Sequence, residues 1–281
     1  MTQIQTQSQE TTQTAPDYSA IKTKQRGAWG AGDYSVVGVT LQIVGERLCE
    51  ALDVRSGDRF LDVAAGNGNV SLAAARRFCE VTSSDYVPEL LERGRQRAEL
   101  EGFDIAFQEA DAEDLPFADG AFDKTASSFG VMFTPNQDRA AAELLRVTRS
   151  GGKIGLANWT PDSFIGQLFK TIGKHLPPPA GLQSPALWGT ESRLNEFFGA
   201  NSSMIDITPQ NYVWRYRSAQ HWLELWKEVY GPLQKAFAAL DEDAQGALAS
   251  DLIDLIDRNN IATDGTMVVP AEYFEVVVTK R

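Results

Sequence analysis

Three acidic residues, Asp62, Asp85 and Asp111, each stand in or just after a short strand-like run. Asp62 lies inside Arg59-Phe60-Leu61-Asp62-Val63, four residues before Gly66, and that run leads directly into Gly66-Asn67-Gly68. Asp85 closes Val81 to Ser84, nineteen residues after Gly66, and Asp111 follows Ile105 to Phe107. Glycines in such a turn let the backbone take positive φ and let a ligand approach the main chain. The N–H groups that open the following helix add partial positive charge. An acid placed after the second strand suits the two hydroxyls of a ribose. Together these residue types describe a site for a charged, ribose-bearing cofactor.

Candidates for proton transfer are few. The chain has two histidines, His175 and His221, and histidine is the usual base near neutral pH. We expect one of them to face the reacting centre, with positioning alone and no protein base as the alternative. A dry pocket would come from Trp29, Tyr34, Phe129, Met132, Phe133, Trp159 and Trp222.

Strand and helix patterns alternate from residue 59 to residue 159, which predicts an α/β, doubly wound, mostly parallel sheet. In such a sheet the three acids gather at the carboxyl edge, where ligands bind. Residues 1–17, rich in Gln and Thr, read as a disordered tail. Residues 18–58 read as a helical lid, with Val37, Leu41, Val44, Leu48 and Leu52 forming one apolar stripe. Leu72, Ala75 and Phe78 mark the helix after the glycine turn, and Ser150-Gly151-Gly152 stops another before a strand from Lys153 to Trp159. The cofactor core is assigned to 59–217 and 262–281. Between its parts, 218–261 reads as a helical insertion over the substrate site, with Trp222, Leu225, Trp226 and Val229 at helical spacing.

The segments Leu-Asp-Val-Ala-Ala-Gly-Asn-Gly-Asn (61–69), Ser-Ser-Asp-Tyr (83–86), Glu-Ala-Asp-Ala-Glu-Asp-Leu-Pro-Phe (109–117) and Arg-Val-Thr-Arg-Ser-Gly-Gly-Lys (146–153) carry a resemblance. In that order and spacing they resemble class I S-adenosylmethionine-dependent methyltransferases, and most of all the ubiquinone/menaquinone-biosynthesis type. The resemblance covers roughly residues 34–160. It implies a Rossmann-like sheet of seven strands, an antiparallel last strand (Tyr273 to Thr279) and a helical cap. It implies S-adenosylmethionine as cofactor, S-adenosylhomocysteine as product, and contacts at Asp62, Ala64, Gly66, Gly68, Asp85, Tyr86, Asp111, Ala112 and Ser128. Asp111 would take the adenine amino group and the Ala112 backbone a ring nitrogen. The implied reaction is in-line methyl transfer to the carbon or oxygen of a small apolar or aromatic acceptor. Ser150 departs from the family's usual proline, in a turn away from the chemistry.

Composition narrows the partners. A net charge of −12 disfavours nucleic acid and anionic membrane surfaces. No apolar segment approaches the roughly 20 residues that span a bilayer, and the start lacks a signal-peptide pattern, so a cytoplasmic location is the default expectation. Two cysteines, Cys49 and Cys79, read as free thiols. Ser127 and Ser128 stand where catechol-type relatives need an acid for magnesium, and no zinc spacing is present, so no metal is expected. Two other classes stay open. A nicotinamide-dependent oxidoreductase would want Gly-x-Gly-x-x-Gly/Ala, but Ser71 stands at the third position. A protein that keeps the cofactor without transferring methyl would look the same in sequence. The oligomeric state is not readable.

Overall fold

The computed structural model describes residues 16–281. The expected tail therefore lies outside the described residues, apart from Pro16 and Asp17. The chain opens with α1 (Tyr18–Trp29), α2 (Ser35–Gly38), a 3-10 turn (Val39–Leu41) and α3 (Gln42–Ala51). The alternating core runs β1 (Arg59–Val63), α4 (Asn69–Ala75), β2 (Glu80–Asp85), α5 (Pro88–Glu101), β3 (Ala106–Glu109), β4 (Phe122–Ser128), α6 (Gln137–Val147) and β5 (Thr148–Trp159). It continues through α7 (Phe164–His175), α8 (Glu191–Phe198) and β6 (Ser202–Tyr216) to α9 (Ala219–Val229), α10 (Gly231–Ala238), α11 (Glu242–Asn259) and β7 (Met267–Lys280).

The strands form one seven-stranded sheet in the order β3-β2-β1-β4-β5-β7-β6. β1 to β5 pair in parallel, and β7 runs antiparallel to both β5 and β6. β1 and β4 are buried almost throughout, as strands covered on both faces must be. The order reverses between β1 and β4, so a crevice opens at their carboxyl ends. No helix among the described residues is long and apolar enough to cross a membrane.

Local chemistry sets the helix ends. Pro88 starts α5 with its φ already helical, and Gly102 ends it in the left-handed conformation (φ 74). Asn136, Ser163, Ser218 and Asp241 cap the N-termini of α6, α7, α9 and α11 with side-chain acceptors. α1 differs, since none of its residues is buried. Polar contacts hold it: Lys22 reaches Asp111, Gln25 Nε2 donates to Phe133 O at 3.0 Å, and Arg26 pairs with Glu109 at 2.7 Å.

Four sequence expectations shift. The apolar stripe from Val37 to Leu52 is buried as expected, but on two helices and a 3-10 turn in place of one helix. Phe78 is 76% exposed, because α4 ends at Ala75 and Phe78 turns the chain with φ 60. Ser150-Gly151-Gly152 does not separate helix from strand. β5 already begins at Thr148, and the glycines sit where its register against β4 slips between Phe122 and Lys124, a bulge. The third strand lies slightly later than Ile105 to Phe107, at Ala106–Glu109.

Candidate active site

Beyond β1 the chain enters left-handed backbone at Ala64 (φ 52), Gly66 (φ 56) and Gly68 (φ 80). Phe129, just past β4, does the same (φ 64). A non-glycine residue held there costs on the order of 1–2 kcal/mol, so tertiary packing must enforce it. Gly130 supplies that packing: a Cβ on it would lie 2.2 Å from Ala64 O. The ends of β1 and β4 are thereby locked together as the floor of the crevice.

The carboxylates brace the same turn. Asp85 is 5% exposed; it accepts from Gly66 N at 2.8 Å through Oδ2 and from Val87 N at 2.9 Å through Oδ1. Burial raises its pKa to about 6, while the N–H groups of Val87, Gly66 and Tyr86 pull the other way. A carboxylate has about four acceptor positions, so lone pairs remain for a ligand. Asp62 accepts from Ser71 N at 2.8 Å and Ser71 Oγ at 2.7 Å, both through Oδ2. Its Oδ1 is buried without a partner among the described residues. Burial raises Asp62 to about 7 against those two hydrogen bonds, and the charge of Asp85 adds to the rise.

Asp111 lies at the acidic loop after β3. Its Oδ1 accepts from Glu113 N at 2.9 Å and its Oδ2 from Lys22 Nζ at 2.6 Å. Lys22 also pairs with Glu113 Oε2 at 3.0 Å. Helix α1 is thus pinned to the loop by one lysine shared between two acids.

These groups surround an open cavity of about 930 Å³, solvent at its mouth included. Asp62, Ala64, Gly66, Asp85, Tyr86, Asp111, Ala112 and Ser128 all line it. Gly68 does not; it opens α4 and faces Gly94 of α5, 3.6 Å from where its Cβ would be. The sequence reading missed Lys22 and Gln25, which line the cavity with Trp29. Their signal was present: 22, 25 and 29 fall on one face of a helix, but without an apolar stripe the helix was not evident. Asn67, Asn69, Glu113 and Thr134 were missed as well.

A second chamber of about 390 Å³ adjoins the first. Trp29, Tyr34, Leu41, Phe129 and Phe133 line both. Trp159, Phe169, Trp214, Trp226 and Tyr230 complete its aromatic wall, and no acid, histidine, lysine or arginine lines it. Trp159 stacks on Phe129 with centroids 4.0 Å apart and planes 2° from parallel. Trp29 meets Phe133, Tyr34 and Tyr230 edge-on at 4.9, 5.5 and 5.6 Å. Such offset and edge-on contacts fix aromatic rings in place.

Other expected pocket residues lie elsewhere. Trp222 is fully buried behind the chamber, against Phe164 at 6.0 Å and Trp226 at 4.6 Å. Met132 is also fully buried, its Sδ taking the Trp159 N–H at 3.4 Å. Neither lines either cavity. Both histidines also lie off the two cavities. His175 Nε2 meets Asp251 Oδ2 at 3.0 Å, tying α7 to α11. Ile165 and Leu168 of α7 line the chamber, and His175 lies about 10–15 Å further along that helix. His221 sits in the first turn of α9 with its ring 5.9 Å from Tyr216. No histidine lines either cavity. Among the described residues there is also no cluster of three or more acids, histidines or cysteines able to hold a metal.

Comparison with known proteins agrees with this geometry. Residues 61–156 match a family described as a methyltransferase domain. An uncharacterised protein of Mycobacterium tuberculosis, Rv1403c, is 40% identical over 229 residues, covering 80% of this chain and 84% of that protein. The demethylmenaquinone methyltransferase of Beutenbergia cavernae is 30% identical over 223 residues, covering 77% of this chain and 80% of that enzyme. The solved structure of the YcgJ protein from Bacillus subtilis shares the fold with a TM-score of 0.61 at 18% identity, over 87% of this chain and 99% of that one. The chain belongs to the methyltransferase domain family.

Proposed function

We propose that this chain transfers the methyl group of S-adenosylmethionine to carbon or oxygen of a small apolar or aromatic acceptor. A quinone-type ring is the nearest analogy, given the likeness to a demethylmenaquinone methyltransferase. One observation carries the reading: the carboxylates of Asp62, Asp85 and Asp111 surround a single cavity that adjoins an aromatic chamber.

The residues fit the cofactor. Asp85 keeps acceptor capacity for two ribose hydroxyls, and the unpartnered Oδ1 of Asp62 suits an ammonium group at the amino-acid end. Asp111 and Ala112 would hold the adenine, with Lys22 closing α1 over them. When bound, the cofactor supplies a methyl group made electrophilic by its sulfonium. The protein's share is then to bind, orient and exclude water, and orientation alone lowers a barrier by several kcal/mol. The rigid aromatic wall orients a flat acceptor and keeps the contact dry. With no histidine on either cavity, we read the reaction as running without a histidine base. We read residues 218–261 as a cap over the acceptor, since Trp226 and Tyr230 come from this stretch.

Calorimetric titration with S-adenosylmethionine, S-adenosylhomocysteine and NAD(H) tests the reading. Micromolar binding of the first two and none of the third is expected. Binding of NAD(H) alone would overturn it, and Gly66 to Asp85 would become a dinucleotide site. Methyl transfer to quinol or phenol acceptors then separates an enzyme from a protein that only keeps the cofactor.

A further inference from the structure

Helix α1 lies over both cavities yet buries none of its own residues. Trp29, its last residue, lines the larger cavity and the aromatic chamber alike. Two turns earlier, about 10 Å along the helix, Lys22 pairs with Asp111 at 2.6 Å and with Glu113 at 3.0 Å. Among the described residues, no other lysine or arginine lines either cavity. Glu113 is 5% exposed, so this pair is partly withdrawn from water, whereas Arg26 and Glu109 are each about half exposed and hold α1 weakly. Just past α1 the chain meets the cap backbone to backbone. Asp33 N donates to Val229 O at 3.0 Å, and Gly32 pairs with Tyr230 as an antiparallel bridge. Gly231, which opens α10, is so close that a Cβ on it would lie 1.9 Å from Ala28 O and 2.5 Å from Ala31 O. Tyr230 in turn meets Trp29 at 5.6 Å and lines the chamber. One end of α1 is thus held by a shared cation on the acidic loop after β3, and the other by packing that leaves no room for a side chain.

We propose that α1 is a lever between the two cavities and that Lys22 is a positioning residue for the acceptor chamber, which it does not line. Lys22 holds α1 on the acidic loop; α1 holds Trp29 and the junction at Tyr230; and those two rings complete the aromatic wall. The proposal rests on reading the larger cavity as the cofactor site. A helix of 12 residues with no buried side chain has little to keep it docked once its polar contacts break. Undocking takes Lys22, Gln25 and Trp29 from the larger cavity and Trp29 from the chamber in one movement. A ligand that touches α1 in either cavity binds the docked state better, and so raises affinity at the other. The chamber is therefore complete only while the cofactor is covered, which favours acceptor uptake after the cofactor is in place.

Amide hydrogen exchange of the intact chain tests the lever at α10 (Gly231–Ala238), which lines neither cavity. Without ligand, Lys22→Met should speed exchange about threefold to tenfold in α1 and from Val229 to Phe237 alike. Lys22→Arg keeps the cation and should retain most of the protection. S-adenosylhomocysteine should slow exchange over the same distant stretch in the unaltered chain. Gly231→Ala works from the other end: it disturbs α1 from the cap side and should weaken S-adenosylhomocysteine about threefold to tenfold by calorimetry. Circular dichroism shows whether that variant folds; if it does not, the two Lys22 variants decide alone. Faster exchange confined to α1 in Lys22→Met, equal exchange in Lys22→Met and Lys22→Arg, protection by S-adenosylhomocysteine confined to residues 59–115, or unchanged affinity in a folded Gly231→Ala would each overturn the proposal. No binding of S-adenosylhomocysteine would instead remove the cofactor reading, and the ligand-free comparison of the two Lys22 variants would still decide the lever.

Discussion

Cofactor binding should release protons, and the site geometry gives the amount. In the ligand-free site burial lifts Asp62 to about 7 and Asp85 to about 6, from an ordinary 3.8. A ligand that presents an ammonium to Asp62 and hydroxyls to Asp85 binds the ionised forms. At pH 7 Asp62 is about half protonated and Asp85 about one-tenth, so binding expels about 0.6 proton in all. Apparent affinity scales with the fraction of sites in the competent state. Between pH 8 and pH 5 that fraction falls about a hundredfold through Asp62 and about a further tenfold through Asp85.

Calorimetry with S-adenosylhomocysteine in phosphate and in Tris reads the released protons directly, because the two buffers differ in ionisation enthalpy. Asp62→Asn supplies the internal control. Its amide oxygen still accepts from Ser71, but the step in affinity near pH 7 should vanish, leaving a shallower one near pH 6. Affinity constant within about twofold from pH 5 to pH 8, with the same heat in both buffers, would refute the burial-raised titration of these two acids in the ligand-free site. The ligand-free protein carries the opposite signature. Both acids bind protons more tightly folded than unfolded, so their contribution to stability is greatest below pH about 4 and is lost as pH rises through 6 and 7.

Further outcomes follow from single contacts. Lys22→Ala removes the shared cation between Asp111 and Glu113; amide exchange across α1 should accelerate, and S-adenosylhomocysteine should bind about threefold to tenfold more weakly. Gly130→Ala would push a methyl group to 2.2 Å from Ala64 O; thermal unfolding should show a loss of at least about 2 kcal/mol, with both cavity floors disturbed. His175→Ala and His221→Ala should each leave turnover within about twofold, and a drop of a hundredfold in either, the scale of general-base catalysis, would reinstate a histidine base.

Which parts of this protein can be read from its residues depends on what each local pattern encodes. The parallel core from β1 to β5 repeats one signal: a short apolar run, a break, then helical spacing. Carboxylates tied to those breaks, Asp62 and Asp85, were legible because chain position fixes their place at the sheet edge. β5 began earlier than expected because a glycine pair signals a turn and a bulge alike, and only the partner strand decides which. Phe78 was assigned to a helix face because spacing alone cannot show that the helix has already ended. Helix α1 left no apolar trace, since it is held by Lys22, Gln25 and Arg26 reaching residues more than eighty positions away. Long-range polar pairing has no period to read.

The same reason separates the two cavities. The first is built by consecutive turns of one repeating unit, so its residues are ordered along the chain like the strands that carry them. The second is assembled from α1, β5, β6, α7 and α9, with Tyr230 following, and no sequence spacing relates Tyr34 to Trp214 or Tyr230. Aromatic content suggested a dry pocket but not which rings would face it, so Trp222 was included and Trp214 overlooked. Fully buried, the two indoles look alike in composition and in burial. They differ in address. Trp214 lines the aromatic chamber beside Trp159, although its Nε1, like that of Trp222, is buried without a partner among the described residues. Trp222 packs one layer further back against Phe164, in the wall that holds Trp226 in place. Exchanging Trp222 for Phe should therefore alter stability and leave acceptor choice intact. The same exchange at Trp214 should alter acceptor choice first, and acceptor profiles of the two variants measured side by side would decide it.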